Sequence, residues 1–364
     1  MKRILLASTL IGLMLLWGVS SLSAQVSSAS VSTINVDSLA SVTVLSPDNH
    51  TLAVYNQYVI YNTAPTFDTL PVRLIDTQTG KTIATLSGYT DWVTGLAFNS
   101  DGSRIVTFHR NGDVNLWDVT NTARPIKTIQ TFTIGGSSVQ LLNDDKTILM
   151  RSGEFILALL DTDSGAITHL FGQHLDTYDE FSTTYSQYPG RGDIGFAGAA
   201  VSPDGQWLVA STQNDEVILW EIATGKQVTL RPKSDKFGQF SIRAFVFSKD
   251  SSQLTYFDQG DKKTHVWDIA KRAEIGAFDV GGASFALAPD GKQIAWADRT
   301  TKSIDLAALT TLATPVKLVA LPDTLQVAPL ITSLAFTRDG KQLIVGGLYA
   351  EDGKNQIYII NLAS

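Results

Sequence analysis

The sequence of 364 residues contains no cysteine. Disulfide bonds, zinc sites with thiolate ligands, thiol nucleophiles and a cysteine-linked lipid anchor are therefore excluded together. A chain of this size without disulfides is held together by core burial or by a bound cofactor, and its length is ample for the first. We expect neither a cofactor nor a metal ion.

Basic side chains are in the minority, with 28 Lys and Arg against 35 Asp and Glu and a formal net charge of −7. No cluster of Lys and Arg offsets this charge, so the chain should be repelled by phosphate backbones. Nucleic acids and anionic membranes are thereby excluded as partners. The acidity itself needs no partner, because solubility explains it.

Long apolar runs are absent except for one, which extends from Ile4 to Val19 behind Lys2 and Arg3 and ends in the small and polar residues 20–25. This order predicts a secretory signal peptide that is cleaved after Ala24. The run is also shorter than the roughly 20 residues that span a bilayer comfortably. We therefore expect an exported protein, periplasmic or extracellular, whose residues 25–364 form one domain without stable membrane insertion.

What the sequence does contain is an internal repeat. Apolar stretches of strand-like composition alternate with polar turns, and one turn of the Ser-Pro-Asp-Gly type recurs seven times. Its acidic residues are Asp48, Asp101, Asp144, Asp204, Asp250, Asp290 and Asp339. Their mean spacing of about 48 residues slightly exceeds the length of a minimal four-stranded propeller blade. No segment of helical length and periodicity interrupts the series after the leader, which predicts an all-β fold.

Two units carry a family resemblance. Residues 88–118, GYTDWVTGLAFNSDGSRIVTFHRNGDVNLWD, and residues 201–226, VSPDGQWLVASTQNDEVILWEIATGK, resemble WD-repeats, and so does the Val266-Trp267-Asp268 triplet of the fifth unit. The resemblance covers the chain from about Val31 onwards. A more distant similarity is to bacterial propellers of the TolB type, which also repeat Ser-Pro-Asp-Gly turns.

The resemblance implies a seven-bladed β-propeller of four-stranded antiparallel blades that acts as a non-enzymatic binding scaffold. It assigns structural positions to Trp117 with Asp118, to Trp220, and to Trp267 with Asp268. We expect the three tryptophans to be buried between blades rather than to form a binding surface.

The departures from the family pattern are equally specific. Ile75 and Leu160 stand at the tryptophan position of the first and third units, and the sixth unit, with Ile304-Asp305-Leu306, lacks the signature. Gly88 is followed by Tyr89 where the family usually has histidine. The buried hydrogen-bond tetrad built around that histidine is therefore expected to be incomplete.

The last unit ends at its third strand, residues 356–362, and lacks a fourth. The unassigned segment Ser32–Val36 is extended and is predicted to supply that strand, which closes the ring and leaves no open edge. Small residues are expected on the crowded innermost strands, namely Gly95, Ala97, Gly198, Ala200, Ala286, Ser333 and Ala335.

Four local patterns suggest chemistry and are better explained otherwise. Residues 190–195 match GxGxxG, but no helix follows them to meet a pyrophosphate, and the enclosed Arg191-Gly192-Asp193 triplet is too short to be specific. Residues 161–165 resemble the start of a calcium loop, yet Gly172 stands where a bidentate Glu is needed, so a turn is expected. A solvated acidic loop, rather than a metal site, is expected for His169, His174, Asp176, Asp179 and Glu180.

No nucleophile elbow, zinc-binding HExxH pair or phosphate loop is present. The remaining histidines, His50, His109 and His265, have no obvious acidic or nucleophilic partner at motif spacing. Because catalytic groups of a propeller can come from distant blades, one alternative stays open: a propeller enzyme or small-ligand binder that uses the axial channel. An axial pocket lined by Asp, Glu or His would favour that alternative.

Long segments are unevenly distributed. Between second and third strands lie residues 62–71 and 348–355, and between blades lie residues 173–194, 232–240 and 322–329, all on one predicted face. The longest carries Tyr178, Phe181, Tyr185 and Tyr188, aromatic side chains suited to recognition. We predict that this face binds a protein or glycan partner and that the protein is monomeric. The alternative is that the loop folds back and buries those rings.

Overall fold

The structure, a computed structural model, describes most of the chain from Ser30 to Leu362. The described residues are 30–36, 42–55, 71–89, 91–131, 136–142, 145–152, 157–171, 196–212, 214–232, 242, 244–279, 282, 284–298, 303–309, 316–320, 333–349 and 355–362. They contain 28 β-strands and no helix. Within these ranges there is accordingly no helix that is long and apolar enough to cross a membrane.

The strands form seven four-stranded antiparallel sheets, as predicted. From the innermost strand outwards, blade 1 consists of β2 (Val42–Leu45), β3 (Thr51–Tyr55), β4 (Arg73–Asp76) and β5 (Thr82–Thr85). Blade 2 consists of β6 (Val93–Phe98), β7 (Arg104–His109), β8 (Asp113–Asp118) and β9 (Lys127–Gln130). Blade 3 consists of β10 (Gly136–Leu141), β11 (Thr147–Ser152), β12 (Leu157–Asp161) and β13 (Ile167–Phe171).

The next three blades repeat this order. Blade 4 consists of β14 (Phe196–Val201), β15 (Trp207–Thr212), β16 (Val217–Glu221) and β17 (Gln227–Arg231). Blade 5 consists of β18 (Phe245–Phe247), β19 (Gln253–Asp258), β20 (Lys263–Asp268) and β21 (Ala273–Phe278). Blade 6 consists of β22 (Phe285–Leu287), β23 (Gln293–Asp298), β24 (Ser303–Ala308) and β25 (Val316–Ala320).

Blade 7 is built from both ends of the domain. It consists of β26 (Ser333–Phe336), β27 (Gln342–Tyr349), β28 (Asn355–Asn361) and, outermost, β1 (Val31–Val36). Ile34 pairs with Ile357 across the β1–β28 ladder, and Asn361 N–H donates to the carbonyl of Ser30 at 2.9 Å. The predicted closure by the segment 32–36 is confirmed, with the strand beginning at Val31.

The core lies between neighbouring blades, so the middle strands are buried on both faces. Val106, Phe108 and Val114 of blade 2 pack against Ile148 and Met150 of blade 3. Continuous runs of Val, Ile, Leu and Phe therefore form these strands, because β-branched and aromatic side chains fill the space between two pleated sheets. The outermost strands are more exposed, as in β5 and β13.

The strand register identifies the tryptophan position in every blade. Residues that pair with the second position of the second strand are Ile75, Trp117, Leu160, Trp220, Trp267, Ala307 and Ile360. Ile75 and Leu160 occupy it as expected. In blade 6 the position falls on Ala307, one residue beyond the triplet that the sequence suggested.

The residues expected on the innermost strands lie on β6, β14, β22 and β26. At Gly95, a Cβ atom would approach the backbone of Ser138 in the adjoining innermost strand to 3.2 Å. Two backbones pass so closely here that glycine is required.

The turns between first and second strands form a ring. In each of the seven, the fourth turn residue donates its backbone N–H to the first turn residue's carbonyl, and it has a positive φ. Those fourth residues are Asn49, Gly102, Asp145, Gly205, Ser251, Gly291 and Gly340. Where the residue is not glycine, its side chain accepts a hydrogen bond from the preceding blade: Asn49 from Arg338 N–H, Asp145 from Asn99, and Ser251 from Asp204 N–H.

Candidate interaction face

Because all strands are antiparallel, the connections sort onto two faces. The turn face carries the first-to-second-strand turns just described and the third-to-fourth-strand turns. The connection face carries the second-to-third-strand turns and the links between blades. The described strands that flank the long segments end on the connection face, and residues 348–349 and 355 themselves belong to β27 and β28.

Several predicted site residues lie outside the described part of the chain. These are the recognition aromatics Tyr178, Phe181, Tyr185 and Tyr188, the GxGxxG and Arg-Gly-Asp letters within residues 190–195, and His174, Asp176, Asp179 and Glu180. The signal peptide, residues 1–24, also lies outside it. The predictions for these residues stay predictions.

Two other predicted features are described. His169 is exposed at the outer strand of blade 3, where its ring stacks on Phe171 at 6.2 Å. Asp161 Oδ1 accepts hydrogen bonds from the N–H and the hydroxyl of Ser164, so residues 161–165 form a turn, as expected, in place of a calcium loop. These bonds hold the pKa of Asp161 below its usual value, the Ser164 hydroxyl contributing most.

The tryptophans at the repeat positions are enclosed to different degrees. Trp117 is 0% exposed and Trp220 is 4% exposed. Trp267 is partly buried and packs beside Leu254 and Tyr256 in the cluster between blades 4 and 5. Asp118 and Asp268 each close a turn, by accepting from Thr120 and from Lys271.

A buried polar network crosses blade 2 towards the connection face. The indole N–H of Trp117 donates to Thr107 Oγ1 at 2.9 Å, and the Thr107 hydroxyl lies 2.8 Å from His109 Nε2. The amide of Asn115 lies 3.1 Å from the same nitrogen, while His109 Nδ1 lies 3.0 Å from the carbonyl of Asp91. Since only a donor suits that carbonyl, the proton sits on Nδ1 and Nε2 accepts.

Tyr89, at the position where the family usually has histidine, covers this network. Its ring lies 5.4 Å from His109 and meets Trp117 edge-on at 6.1 Å. Its hydroxyl accepts the N–H of Val72 at 3.2 Å, which links blade 1 to blade 2. The tetrad expected to be incomplete is thus replaced by a network in which β7 supplies the histidine. Burial lowers the pKa of His109, so it is neutral at pH 7.

An ion-pair cluster joins blades 4 and 5 on the connection face. Arg231, the last residue of β17, lies 2.7 Å from Asp258 Oδ2 and donates to the carbonyl of Asp215 at 2.8 Å. The Asp258 side chain is 0% exposed, and it also accepts the N–H of Gly260 at 2.7 Å. The Oδ2 contact is close but not aligned as a hydrogen bond. Arg231 thereby fixes the start of the link formed by residues 232–244.

His265 lies next to this pair. Its Nδ1 is 3.1 Å from Glu274 Oε1 and its Nε2 is 3.1 Å from Asp261 Oδ2, and its ring stacks on Tyr256 at 5.0 Å. Among the described residues, Asp258, Asp261 and His265 are a group whose oxygen and nitrogen atoms could hold a metal ion. The ion pair and hydrogen bonds already engage these atoms, so the cluster is explained without an ion.

The sequence offered no obvious acidic or nucleophilic partner at motif spacing for His109 or His265. The structure gives His265 two carboxylate partners, while His109 is held by polar groups near it in blade 2. Asp261 stands four residues before His265 and was visible in the sequence. Glu274 was not, because a register shift between Val266 and Trp267 brings it beside His265. The Thr107, His109 and Asn115 side chains follow strand alternation and could have been grouped, but only their common burial shows that they meet.

Comparisons with known proteins agree with the fold. A family model described as WD domain, G-beta repeat, matches residues 80–118, which span β5 to β8. Periodic tryptophan protein 2 of Saccharomyces cerevisiae is 25% identical over 212 residues, which are 57% of this chain and 20% of that protein. The chain therefore spans about a fifth of the length of that curated relative.

A solved structure extends the similarity to nearly the whole domain. The β-propeller domain of Cps50 (Swd1) from Myceliophteria thermophila superposes with a TM-score of 0.67 at 12% sequence identity. The match covers 92% of this chain and 100% of that domain. At this identity the likeness establishes the architecture alone. Together the comparisons show a β-propeller fold and a similarity to WD repeats over residues 80–118.

Proposed function

We propose that this chain, a β-propeller of the WD-repeat type, is an exported and non-enzymatic scaffold that binds a protein or glycan partner through its connection face. The fold is typical of protein-interaction scaffolds. The observation that carries the proposal is the contrast between the two faces. On the turn face, the polar groups of the short turns form hydrogen bonds with one another. The long segments, in contrast, connect strands that end on the connection face.

The turn chemistry explains why the turn face offers little to a partner. Ser248 and Thr337 donate their hydroxyls to the turn aspartates Asp250 and Asp339, whose second contacts are backbone N–H groups. These hydroxyl bonds are the largest cause that lowers the pKa of both carboxyl groups. A carboxylate already satisfied in this way gains little from a new partner.

The axial-channel enzyme is the second candidate, and the described residues favour it less. The innermost strands carry the small residues named above, and the histidines His109 and His265 are engaged by the blades themselves. Two open clefts of about 590 and 410 Å³ lie at turn-face residues, one beside Arg104 and one beside Asp290.

Affinity capture tests the proposal. The mature chain, beginning at Gln25, is immobilised and offered an extract of its native source, and the bound partner is identified. In a second protein, Tyr178, Phe181, Tyr185 and Tyr188 are changed to serine. We expect capture to be abolished while the melting temperature changes by no more than about 2 °C, since surface substitutions cost little.

The matched control removes exposed apolar side chains elsewhere. Ile83, Ile126 and Ile275 are 58%, 56% and 49% exposed on or beside outer strands, and their replacement by serine should leave capture intact. Capture that survives the four serine substitutions would contradict the assignment of the loop, and so would a collapse of stability, which would mean that the rings are buried. Turnover of a glycan, lactone or peptide library without any captured partner would favour the enzyme.

Export is tested separately by cell fractionation and by the mass of the purified protein. We expect the protein outside the cytoplasm with its N-terminus at Gln25. A cytoplasmic protein that retains residues 1–24 would exclude export without touching the scaffold proposal.

A further inference from the structure

Trp92 differs from the other tryptophans of the described chain. Five of the six described tryptophans pack into the hydrophobic clusters between blades: Trp117, Trp207, Trp220, Trp267 and Trp296. Trp92 belongs to none of these clusters and is partly exposed. It lies on the connection face, in the link from β5 to β6, directly before the innermost strand of blade 2.

The backbone on either side of Trp92 is held by three hydrogen bonds. The Trp92 N–H donates to Asp91 Oδ1 at 2.7 Å, and the Trp92 carbonyl accepts the N–H of Arg110 at 2.9 Å. The carbonyl of Asp91 faces Nδ1 of the buried His109 at 3.0 Å. The indole is thus mounted on a fixed support, and a partner would not have to order the backbone that presents it.

The indole itself is available. Across the described ranges, Nε1–H of Trp92 has no hydrogen-bond partner, whereas Trp117 and Trp220 donate theirs to Thr107 and Gln227. A partly buried tryptophan whose indole N–H has no partner among the described residues combines an apolar ring with a polar tip, and tryptophan is among the side chains most enriched at the energetic centres of interfaces.

The charge around Trp92 indicates what it binds. Asp91 and Asp113 both act electrostatically on the His109 ring, and Arg110, whose N–H bonds the Trp92 carbonyl, adds one positive charge beside these two carboxylates. A cation is attracted both by nearby carboxylates and by the face of an indole ring, the best of the aromatic acceptors.

We propose that Trp92 is the docking point for an arginine or lysine side chain of a protein partner. The inference rests on the proposed function, because it specifies one contact of the same face. The cation lies over the indole ring, Asp91 contributes its charge, and Nε1–H donates to a backbone carbonyl of the partner.

A peptide array tests the inference. The intact mature protein is applied to hexapeptides that differ at one position, where Arg or Lys is replaced by Gln, Met or Glu. We expect the basic peptides to be retained in preference to the uncharged ones, and the acidic ones least. Trp92→Leu should weaken binding of the basic peptides at least about tenfold, whereas Trp92→Phe, which keeps a ring, should retain part of it.

The control is Trp207→Leu. Trp207 lies at the start of β15 on the turn face, where the guanidinium of Arg272 already covers its ring at 5.9 Å, so its loss should leave the peptide pattern unchanged. Melting curves of all three variants show whether the fold is intact. Equal retention of Arg and Gln peptides, no retention of any peptide, or a Trp92→Leu protein that binds like the wild type would each overturn the inference.

A glycan array separates the remaining source of binding. Glycan retention that Trp92→Leu abolishes, with no peptide bound, would overturn the choice of a protein partner. The two proposals fail differently: if native partner capture depends on the connection face but not on Trp92 or on a basic residue, only this inference is lost. If nothing is captured through that face, the scaffold proposal is lost with it.

Discussion

The side-chain oxygen of Asn49 accepts a hydrogen bond from the backbone N–H of Arg338 at 2.9 Å, across a sequence separation of 289 residues. The bond joins the first-to-second-strand turn of blade 1 to the corresponding turn of blade 7. It continues the contacts that link blade 2 to blade 3 through Asp145 and blade 4 to blade 5 through Ser251. The ring is therefore closed on the turn face as well as through β1.

Asn49→Gly should lower the free energy of unfolding by about 0.5–1.5 kcal/mol, because it removes this bond while glycine adopts the φ of +65° without strain. Urea unfolding of the mature protein measures the change. Gly205→Asn is the control, since no atom lies within 4 Å of the added Cβ at the same turn position. Equal stability of wild type and Asn49→Gly would show that the turn contact does not help to close the ring.

The closing strand makes a second prediction. Ile34 is 7% exposed and packs with Leu52 and Ile75 of blade 1 and with Ile357 of blade 7, whereas Val31 on the same strand is 40% exposed. Ile34→Ala should cost about 2–5 kcal/mol and Val31→Ala much less. A mature protein that begins at Asp37 should lose cooperative unfolding altogether. If that truncated protein melts like the full mature chain, β1 does not close the ring.

Most of the architecture could be predicted from the sequence, because turn and strand residues mark each repeat locally. The Ser-Pro-Asp-Gly turns mark the first hairpin of each blade, and the apolar stretches between them have the length and composition of strands. The unpaired third strand at the end of the last unit required a partner, and only the segment near Ile34 was left to supply it. The register could not be predicted in blade 6, because Ala307 carries no signature of the position it fills.

The candidate site was much less accessible. Long segments are recognisable as such, and their positions between strands assign them to a face. Which side chains come together at the site cannot be read from neighbouring residues in the sequence. For example, a register shift between β20 and β21 places Glu274 beside His265. The position of Trp92 outside the hydrophobic clusters could not be predicted either. The sequence does not distinguish one tryptophan from another, and only the packing in the structure does.

His109 should make stability depend on pH. Burial lowers its pKa in the folded protein below 6.5, the ordinary value that it regains on unfolding. As pH falls below 6.5, the unfolded chain takes up a proton that the folded protein refuses, so the free energy of unfolding decreases until the folded-state pKa is passed. Above pH 6.5 this contribution is constant.

His109→Gln should remove that part of the pH dependence below pH 6.5, which chemical unfolding at several pH values measures. The exposed His169→Gln serves as the control and should keep the wild-type profile. A profile that His109→Gln leaves unchanged would mean that the ring is not held neutral by burial.

Removing one partner of the ion pair between blades 4 and 5 should destabilise the protein more than removing both charges. Arg231→Met leaves the fully buried Asp258 carboxylate without its counterion and should destabilise the protein by about 3–5 kcal/mol. Arg231→Met combined with Asp258→Asn should recover part of this loss, since the charge is gone. Thermal unfolding of the single and double variants decides, and additive losses would exclude the proposed coupling.

Substitution of Trp117 should affect stability, whereas substitution of Trp92 should affect fluorescence quenching. Trp117→Ala should cost about 3–5 kcal/mol because its ring is fully buried and its N–H is bonded. Trp92→Leu should leave the melting temperature nearly unchanged but lower the tryptophan fluorescence that a water-soluble quencher reaches. Quenching that persists undiminished in Trp92→Leu would show that another tryptophan is the accessible one.

The pairing of β1 with β28 also determines how the propeller unfolds under mechanical tension. Val31 lies opposite Ile360, so the chain enters and leaves the blade at the same corner of the sheet. Tension between the two flanking segments loads the hydrogen bonds of this ladder one after another, in the unzipping geometry. In the shear geometry all of them would be loaded together. A ring held together by the packing between its blades should therefore open at low force when tension acts on both flanking segments.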